Sequence, residues 1–259
     1  MNFIHQSNAE AELHKLAESK RHSVLIEGPA GSGKSYLAYE YANKLGISDV
    51  TTVAATVSDI RQMSDSTAAL TNPMLICVEN LDSGVPAASY TLLKFLEEPR
   101  DNVYVVVTCR NIRGVPETII SRSVCVSIGE PTPADLAEYG KQKDNTLYLL
   151  RSKEPIWEIC RSFSDVDTIF KMSPAQLEYF NSLNSLSLKD TTSNLMWKLG
   201  HYDDNSESPA SLVFRYIYAS SNNDKIKKYA LQCLSELDSS KVAAHAVLAH
   251  FVFNCKYGG

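Results

Sequence analysis

With 259 residues, the chain has room for one domain of common size and one or two smaller ones. Its 44% hydrophobic and 21% charged content is that of a soluble globular protein, and a formal net charge of −5 argues against coating nucleic acid by general electrostatics while allowing a local basic strip. No apolar run approaches the ~20 residues of a membrane span, so no membrane partner is expected.

Asn8 to Lys20 carries Ala9, Leu13, Leu16 and Ala17 at helical spacing, which predicts a helix ahead of the first strand. Val24-Leu25-Ile26 reads as a short buried strand, and Tyr36 to Leu45 as a helix with Gly46 placed to cap its C-terminus. Val50 to Ala54 is a β-branched strand and Ser58 to Met63 a short helix, after which Pro73 breaks the chain before the apolar run Met74 to Val78. Tyr90 to Glu98 is an amphipathic helix stopped by Pro99, Val103 to Thr108 a buried strand, and Ser123 to Ile128 the last strand. Strands alternating with helices, the strands apolar almost throughout, predict a parallel α/β sheet covered on both faces.

At Glu130-Pro131-Thr132-Pro133 the character changes, and no convincing strand follows. Pro133 to Lys141, Thr146 to Arg151 and Ile156 to Phe163 are short helical candidates, and Ser173-Pro174 is a helix start with the N-cap and first-turn proline in order. Ser208-Pro209 repeats that signal after a polar loop, Asp203 to Ser208. Thr192 to Gly200, Asp224 to Leu237 and Lys241 to Cys255 read as further helices.

Chemistry concentrates in Gly28-Pro29-Ala30-Gly31-Ser32-Gly33-Lys34-Ser35, which fits the phosphate-loop pattern G-x-x-x-x-G-K-[ST] without a mismatch. Glycines let backbone wrap a phosphate closely, and a helix N-terminus directs N–H groups and partial positive charge at it. The pattern puts Lys34 on the β- and γ-phosphates and the Ser35 hydroxyl on Mg²⁺. The bland alternative is a glycine-rich turn; the strand before and helix after favour a nucleotide site. The run Met74 to Val78, ending in Glu79-Asn80-Leu81-Asp82, is the candidate for the Walker B strand that carries the metal-side acid. The six cysteines include no C-x-x-C pair, which excludes zinc spacing and suits reduced, buried thiols. Met1 to Gln6 has no basic segment leading into an apolar core, so a cytoplasmic location is expected. The six histidines show no metal-ligand spacing, and His245 and His250 read as packing residues on an apolar helix.

Three phrases together resemble the clamp-loader branch of the AAA+ ATPases, which includes the bacterial DNA polymerase III gamma and delta-prime subunits and the small phage clamp-loader subunit. They are Arg21 to Gly28 leading into the phosphate loop, Leu92-Leu93-Lys94-Phe95-Leu96-Glu97-Glu98-Pro99, and Val115 to Ser123 with its Ser121-Arg122-Ser123. Their order and spacing match over about residues 20 to 131, and Gly129-Glu130-Pro131-Thr132 is similar to the phage subunit in particular. The resemblance implies an α/β P-loop AAA+ domain at 1–131, a helical lid at 132–172 and an all-helical collar at 173–259. It implies ATP and Mg²⁺ as cofactors, with other clamp-loader subunits, a sliding clamp and primer–template DNA as partners. Arg122 takes the place of the arginine finger, finding no partner in its own chain and stabilising charge on a neighbour's γ-phosphate. The alternative for Arg122 is a surface ion pair. Thr108 takes the place of the sensor of the γ-phosphate or attacking water, or is a threonine at the edge of the core.

Departures from the pattern bear on catalysis. Where the family has Asp-Glu, this chain has Glu79-Asn80. Glu79 still serves hydrated Mg²⁺, but Asn80 cannot accept a proton from attacking water as a carboxylate does. Asp82 is either a substitute or a solvated loop aspartate. The lid's phosphate-sensing arginine is not identifiable, an acidic residue of Phe163 to Asp167 standing in its place; Ser123 replaces a cysteine, and the bacterial zinc module is missing. For DNA, Arg61 is the candidate phosphate contact or a solvated side chain, with Arg110 and Arg113 weaker candidates of the same kind. Lys225, Lys227 and Lys228 read as a solvent-facing charge run. The expected function is ATP-dependent opening and loading of a sliding clamp. The alternatives are a hydrolysis-deficient structural subunit that supplies Arg122, or another AAA+ replication protein such as a helicase loader.

Overall fold

The computed structural model describes residues 7–67, 72–98, 100–190, 192–199, 210–239 and 244–257. The chain divides into two compact units, Met1–Asp135 and Leu136–Gly259.

In the first unit, α1 (Ser7–Glu18) precedes β1 (Ser23–Glu27), followed by α2 (Lys34–Leu45), β2 (Asp49–Ala54), α3 (Val57–Ser66) and β3 (Met74–Glu79). Then come α4 (Pro86–Glu97), β4 (Val103–Cys109), the single-turn α5 (Glu117–Ile120) and β5 (Val124–Ser127). The strands form one sheet in the order β2-β3-β4-β1-β5, every pairing parallel. β4 is buried at each of its residues, whereas β2, at the edge, keeps four of six exposed, with Val50 and Val53 the half-buried ones and Asp49, Thr51 and Thr52 among the exposed.

Alternate residues of each strand serve opposite faces. Leu25, Ile76, Val78, Val105 and Val107 pack under α3 and α4 through Ile60, Met63, Leu92, Phe95 and Leu96. Val24, Ile26, Leu75, Cys77 and Val106 pack on α1 and α2 through Leu13, Leu37 and Tyr41. The expected parallel α/β sheet with both faces covered is therefore present. The helix predicted from Tyr90 begins earlier, with Pro86 in its first turn, and Pro99, its expected stop, lies outside the described residues. Parallel strands carry their C-terminal ends to one edge, and binding crevices open where the strand order reverses, here around β1 and β4.

The helix α6 (Pro133–Arg151) joins two predicted segments into one, broken at Asp144 by an extended backbone (φ −159, ψ 101). Asp144 restarts it, its Oδ1 accepting from the Leu147 amide at 2.9 Å. The second unit continues with a 3₁₀ turn at Pro155–Ile159, α7 (Phe163–Lys171), α8 (Pro174–Leu183), α9 (Thr192–Leu199), α10 (Ala210–Ser220), α11 (Asp224–Ser239) and α12 (Ala244–Tyr257). No strand occurs there among the described residues. Ser173 caps α8 as predicted, in a reciprocal capping box with Gln176. The sequence reading missed α7. The loop Asp203 to Ser208 and the start signal Ser208-Pro209 lie outside the described residues, as does Lys241. At the centre of this unit α10 buries Leu212, Val213, Phe214, Tyr216 and Ile217, and it packs on α8 and α11. No helix among the described residues is long and apolar enough to cross a membrane.

Candidate nucleotide-binding site

β1 ends at Glu27, and the phosphate loop begins where only glycine fits. A Cβ on Gly28 would stand 2.4 Å from Ile128 Cγ1 and 2.9 Å from its carbonyl oxygen. Gly31 and Gly33 are left-handed, with φ of 68° and 96°, a turn that side chains resist. Gly33 is the N-cap of α2 and offers no side chain, so the first-turn amides lack a side-chain cap. The Ser32 hydroxyl closes the loop on Pro29 O at 2.8 Å.

Lys34 is 7% exposed, and its ammonium donates to Gly28 O at 2.8 Å and Pro29 O at 2.7 Å. Its pKa is lowered by burial first and by the Arg110 guanidinium second, with Asp82, Cys109 and Glu79 pulling the other way. A buried ammonium held by loop carbonyls beside uncapped helix amides fits the phosphates of a nucleotide. The Ser35 hydroxyl donates to Glu79 Oε1 at 2.6 Å, which brings together two oxygen donors of the kind a hard divalent cation takes. Pro29 and Ala30 complete the loop in the sequence predicted.

β3, β4 and β1 end together. Asn80 has a left-handed backbone (φ 51, ψ 52), a conformation asparagine tolerates better than most residues. Its amide donates to Thr108 Oγ1 at 3.0 Å, and Thr108 is only 1% exposed, so that hydroxyl ties the ends of β3 and β4 together. The turn at Asn80 leads into a 3₁₀ segment, Leu81–Ser83, that folds Asp82 inward. Asp82 is not the solvated loop aspartate of one sequence reading. Its Oδ2 accepts from the Asn111 amide at 3.2 Å, while its Oδ1 is buried with no hydrogen-bond partner. Gly114 crowds against it, a Cβ there falling 2.9 Å from Asp82 Cβ.

Arg122 corrects the expectation of an arginine without a partner in its own chain. Nη2 donates to Glu97 Oε1 at 2.8 Å and Nη1 to Thr118 O at 2.8 Å. The reason is packing of α4 on α5, which brings Glu97 of the Leu92-to-Pro99 phrase beside the turn after Ile120. The two side chains are 36% and 46% exposed, so the pair is weak and exchangeable. Its position in the sheet matters more. β1 and β5 are parallel, with Val24 opposite Val124, and Ser23 Oγ lies 2.8 Å from Ser123 Oγ. Arg122 therefore stands at the N-terminal edge of the sheet, and the chain's own phosphate loop leaves the C-terminal edge. The sequence marks the Leu92-to-Pro99 phrase as a family resemblance but does not single out Glu97 as the partner of Arg122.

Arg61 is exposed on α3 and borders a cavity of about 540 Å³ that Lys94, Arg100 and Tyr90 also line, together with the acids Asp65 and Glu98. In the helical unit, the acids found where a lid arginine was sought have structural partners. Asp165 is bound by Arg215, and Asp167 by Lys143 and Tyr139. His250 is not a packing residue: it is exposed and pairs with Glu236 at 2.8 Å. The cysteines are all free. Burial pushes Cys77, Cys109, Cys160 and Cys233 up to about 12, which leaves them inert thiols, and Cys125 alone is exposed.

Sheet order and phosphate loop, followed along the chain by a helical unit, define an AAA+ fold. Two solved structures from Thermotoga maritima share it at identities that speak for fold alone. The RuvB Holliday junction branch migration motor matches at 13% identity and a TM-score of 0.55, over 97% of this chain and 84% of that one. A DNA polymerase III gamma subunit-related protein matches at 15% and 0.56, over 96% and 98%. Within the fold, residues 51–132 match the family model of the DNA polymerase III delta subunit. That segment, under half of the chain, holds Glu79-Asn80 and two of the three sequence phrases, Leu92 to Pro99 and Val115 to Ser123 with Arg122. No curated protein matches the sequence.

Proposed function

We propose that this chain is an ATP-binding subunit of a clamp-loading assembly in DNA replication, opening a sliding clamp and placing it at primer–template DNA. One observation carries the reading: Lys34 and Arg122 lie at opposite edges of one parallel sheet. An arginine so placed cannot serve the chain's own nucleotide, since β1 alone spans roughly 17 Å at about 3.3 Å per residue. It is available to a neighbour's nucleotide in a ring or spiral of subunits. Engagement exchanges Glu97 for phosphate oxygens, which the weak, exposed pair permits.

At its own site, Lys34 trades two loop carbonyls for phosphate oxygens, and Ser35 with Glu79 holds Mg²⁺. The cation supplies charge neutralisation for the phosphates. Thr108 fixes the Asn80 backbone. Asn80 cannot take a proton from water, so binding outpaces turnover, and hydrolysis by the isolated chain is slow. The helical unit serves as lid to residue 172 and as collar from 173, and Arg61 meets DNA phosphate. Location in the cytoplasm follows from this role.

The second reading, a structural subunit that binds ATP without hydrolysing it, is favoured by Asn80. Single-turnover hydrolysis separates the two: Asn80→Glu is expected to raise the rate about 100-fold or more, the lower end of what a positioned general base contributes. An unchanged rate removes Asn80 as the limiting defect. The assembly itself is tested by mass measurement with candidate subunits, clamp and Mg-ATP. A ring-like complex that captures the clamp is expected; a monomer indifferent to ATP and DNA overturns the proposal.

A further inference from the structure

We infer that Arg110 is a second cation for the terminal phosphate of the nucleotide, supplied by this chain to its own site, and that it sets a preference for a triphosphate over a diphosphate. This rests on Gly28–Ser35 being a nucleotide site, and it moves Arg110 away from the DNA or interface role suggested by sequence.

The placement comes from strand register. β4 lies beside β1 with Glu27 opposite Cys109, and the Gly28 amide donates to Cys109 O at 3.1 Å. One residue further along each strand, Gly28 opens the phosphate loop and Arg110 leaves the sheet at the same edge. Every residue of β4 is buried through Cys109, and Arg110 is the first exposed one. Its side chain therefore emerges at the mouth of the loop.

The Lys34 ammonium rests on the Gly28 and Pro29 carbonyls at the same mouth, so a polyphosphate seated there meets two cations. The Arg110 guanidinium has no ion pair or side-chain hydrogen bond among the described residues, whereas Arg122, Arg215 and Arg100 are each engaged. Glu79 and Asp82 have partners of their own, Glu79 in Ser35 and Asp82, through Oδ2, in Asn111. Thr108, two residues earlier, is buried and occupied by Asn80, so it does not stand at the loop's mouth. With Asp165 and Asp167 where a lid arginine was sought, Arg110 supplies a cation from the sheet instead.

A planar guanidinium takes two phosphate oxygens at once, and the terminal phosphate is the group that distinguishes ATP from ADP. The test is calorimetric titration of the full chain with a Mg-bound non-hydrolysable ATP analogue and with Mg-ADP, comparing wild type with Arg110→Ala, Arg110→Gln and Arg110→Lys. Both neutral variants are expected to weaken the analogue by about 10-fold or more, as for loss of a charge-assisted bond, and ADP by less than about twofold. Arg110→Lys recovers part of the difference, and thermal melting stays near wild type because the side chain is exposed. Equal losses for both ligands, or no loss for either, overturn the inference. A wild-type chain that binds neither ligand overturns the nucleotide-site reading beneath it.

Discussion

Lys34→Met is expected to lower affinity for Mg-ATP by about 100-fold or more, equivalent to roughly 2.7 kcal/mol, while the chain stays folded. The ammonium is buried and its two bonds run to the carbonyls of the loop it would leave on binding phosphate. Charge-assisted bonds of this kind contribute about 1.5–3 kcal/mol each, and methionine fills a similar volume without the charge. Removing the cation also relieves burial and the opposing charge of Arg110, which offsets the loss of the two carbonyl bonds. Stability therefore changes far less than affinity. Calorimetric titration and thermal melting measure the two effects separately, and Lys34→Met binding within threefold of wild type would refute the site. Arg122→Ala provides the contrast. Standing at the other edge of the sheet, it should leave ATP binding by the isolated chain unchanged and slow turnover only where a neighbour's nucleotide is presented.

The features legible in the sequence are those carried by local patterns. The phosphate loop announces itself because only glycine tolerates the contact with Ile128 and the left-handed turns at residues 31 and 33. The buried strands announce themselves because a parallel sheet covered on both faces admits few polar residues. Ser173-Pro174 marks α8 through its capping box. What sequence did not reveal depends on contacts between distant residues. The Arg122–Glu97 pair spans a helix packing, Asp82 turns inward because Asn80 adopts a left-handed backbone, and Arg110 gains its place from the register of β4 on β1. Periodicity carries no information about register between strands separated by some eighty residues. The helix α7 is missed for another reason: the sequence reading ends a helix at Phe163 and places an acid of Phe163 to Asp167 where a lid arginine would stand, whereas Ser162 and Asp165 form a capping box that starts a helix there.

That same Asp165 holds the helical unit together, and Asp165→Ala is expected to destabilise it by about 3–5 kcal/mol, the cost of stranding a buried charge. Both carboxylate oxygens are used: Arg215 Nη2 donates to Oδ1 and Nη1 to Oδ2, each at 2.8 Å, and Oδ2 also accepts the Arg161 and Ser162 amides at 2.9 and 3.0 Å. One side chain thus closes the N-terminus of α7 and fastens it to α10. Burial alone would raise the Asp165 pKa, but Arg215 and the amides overcome it and hold it below the ordinary 3.8. A carboxylate whose pKa is lowered by folding stabilises the fold fully above its unfolded value and loses that contribution as pH falls through the folded one. The wild-type unit is therefore expected to keep this stabilisation down to about pH 4 and to lose it below 3.8, while the alanine variant shows no such step. At neutral pH, Asp165→Ala should melt roughly 6–20 °C below wild type, at about 2–4 °C per kcal/mol. Lys143→Ala, which removes an exposed partner of Asp167, should shift stability by less than about 1 kcal/mol. Equal effects of Asp165→Ala and Lys143→Ala would mean that burial and bidentate geometry do not distinguish the two pairs, and that the tie between α7 and α10 is made by apolar packing alone.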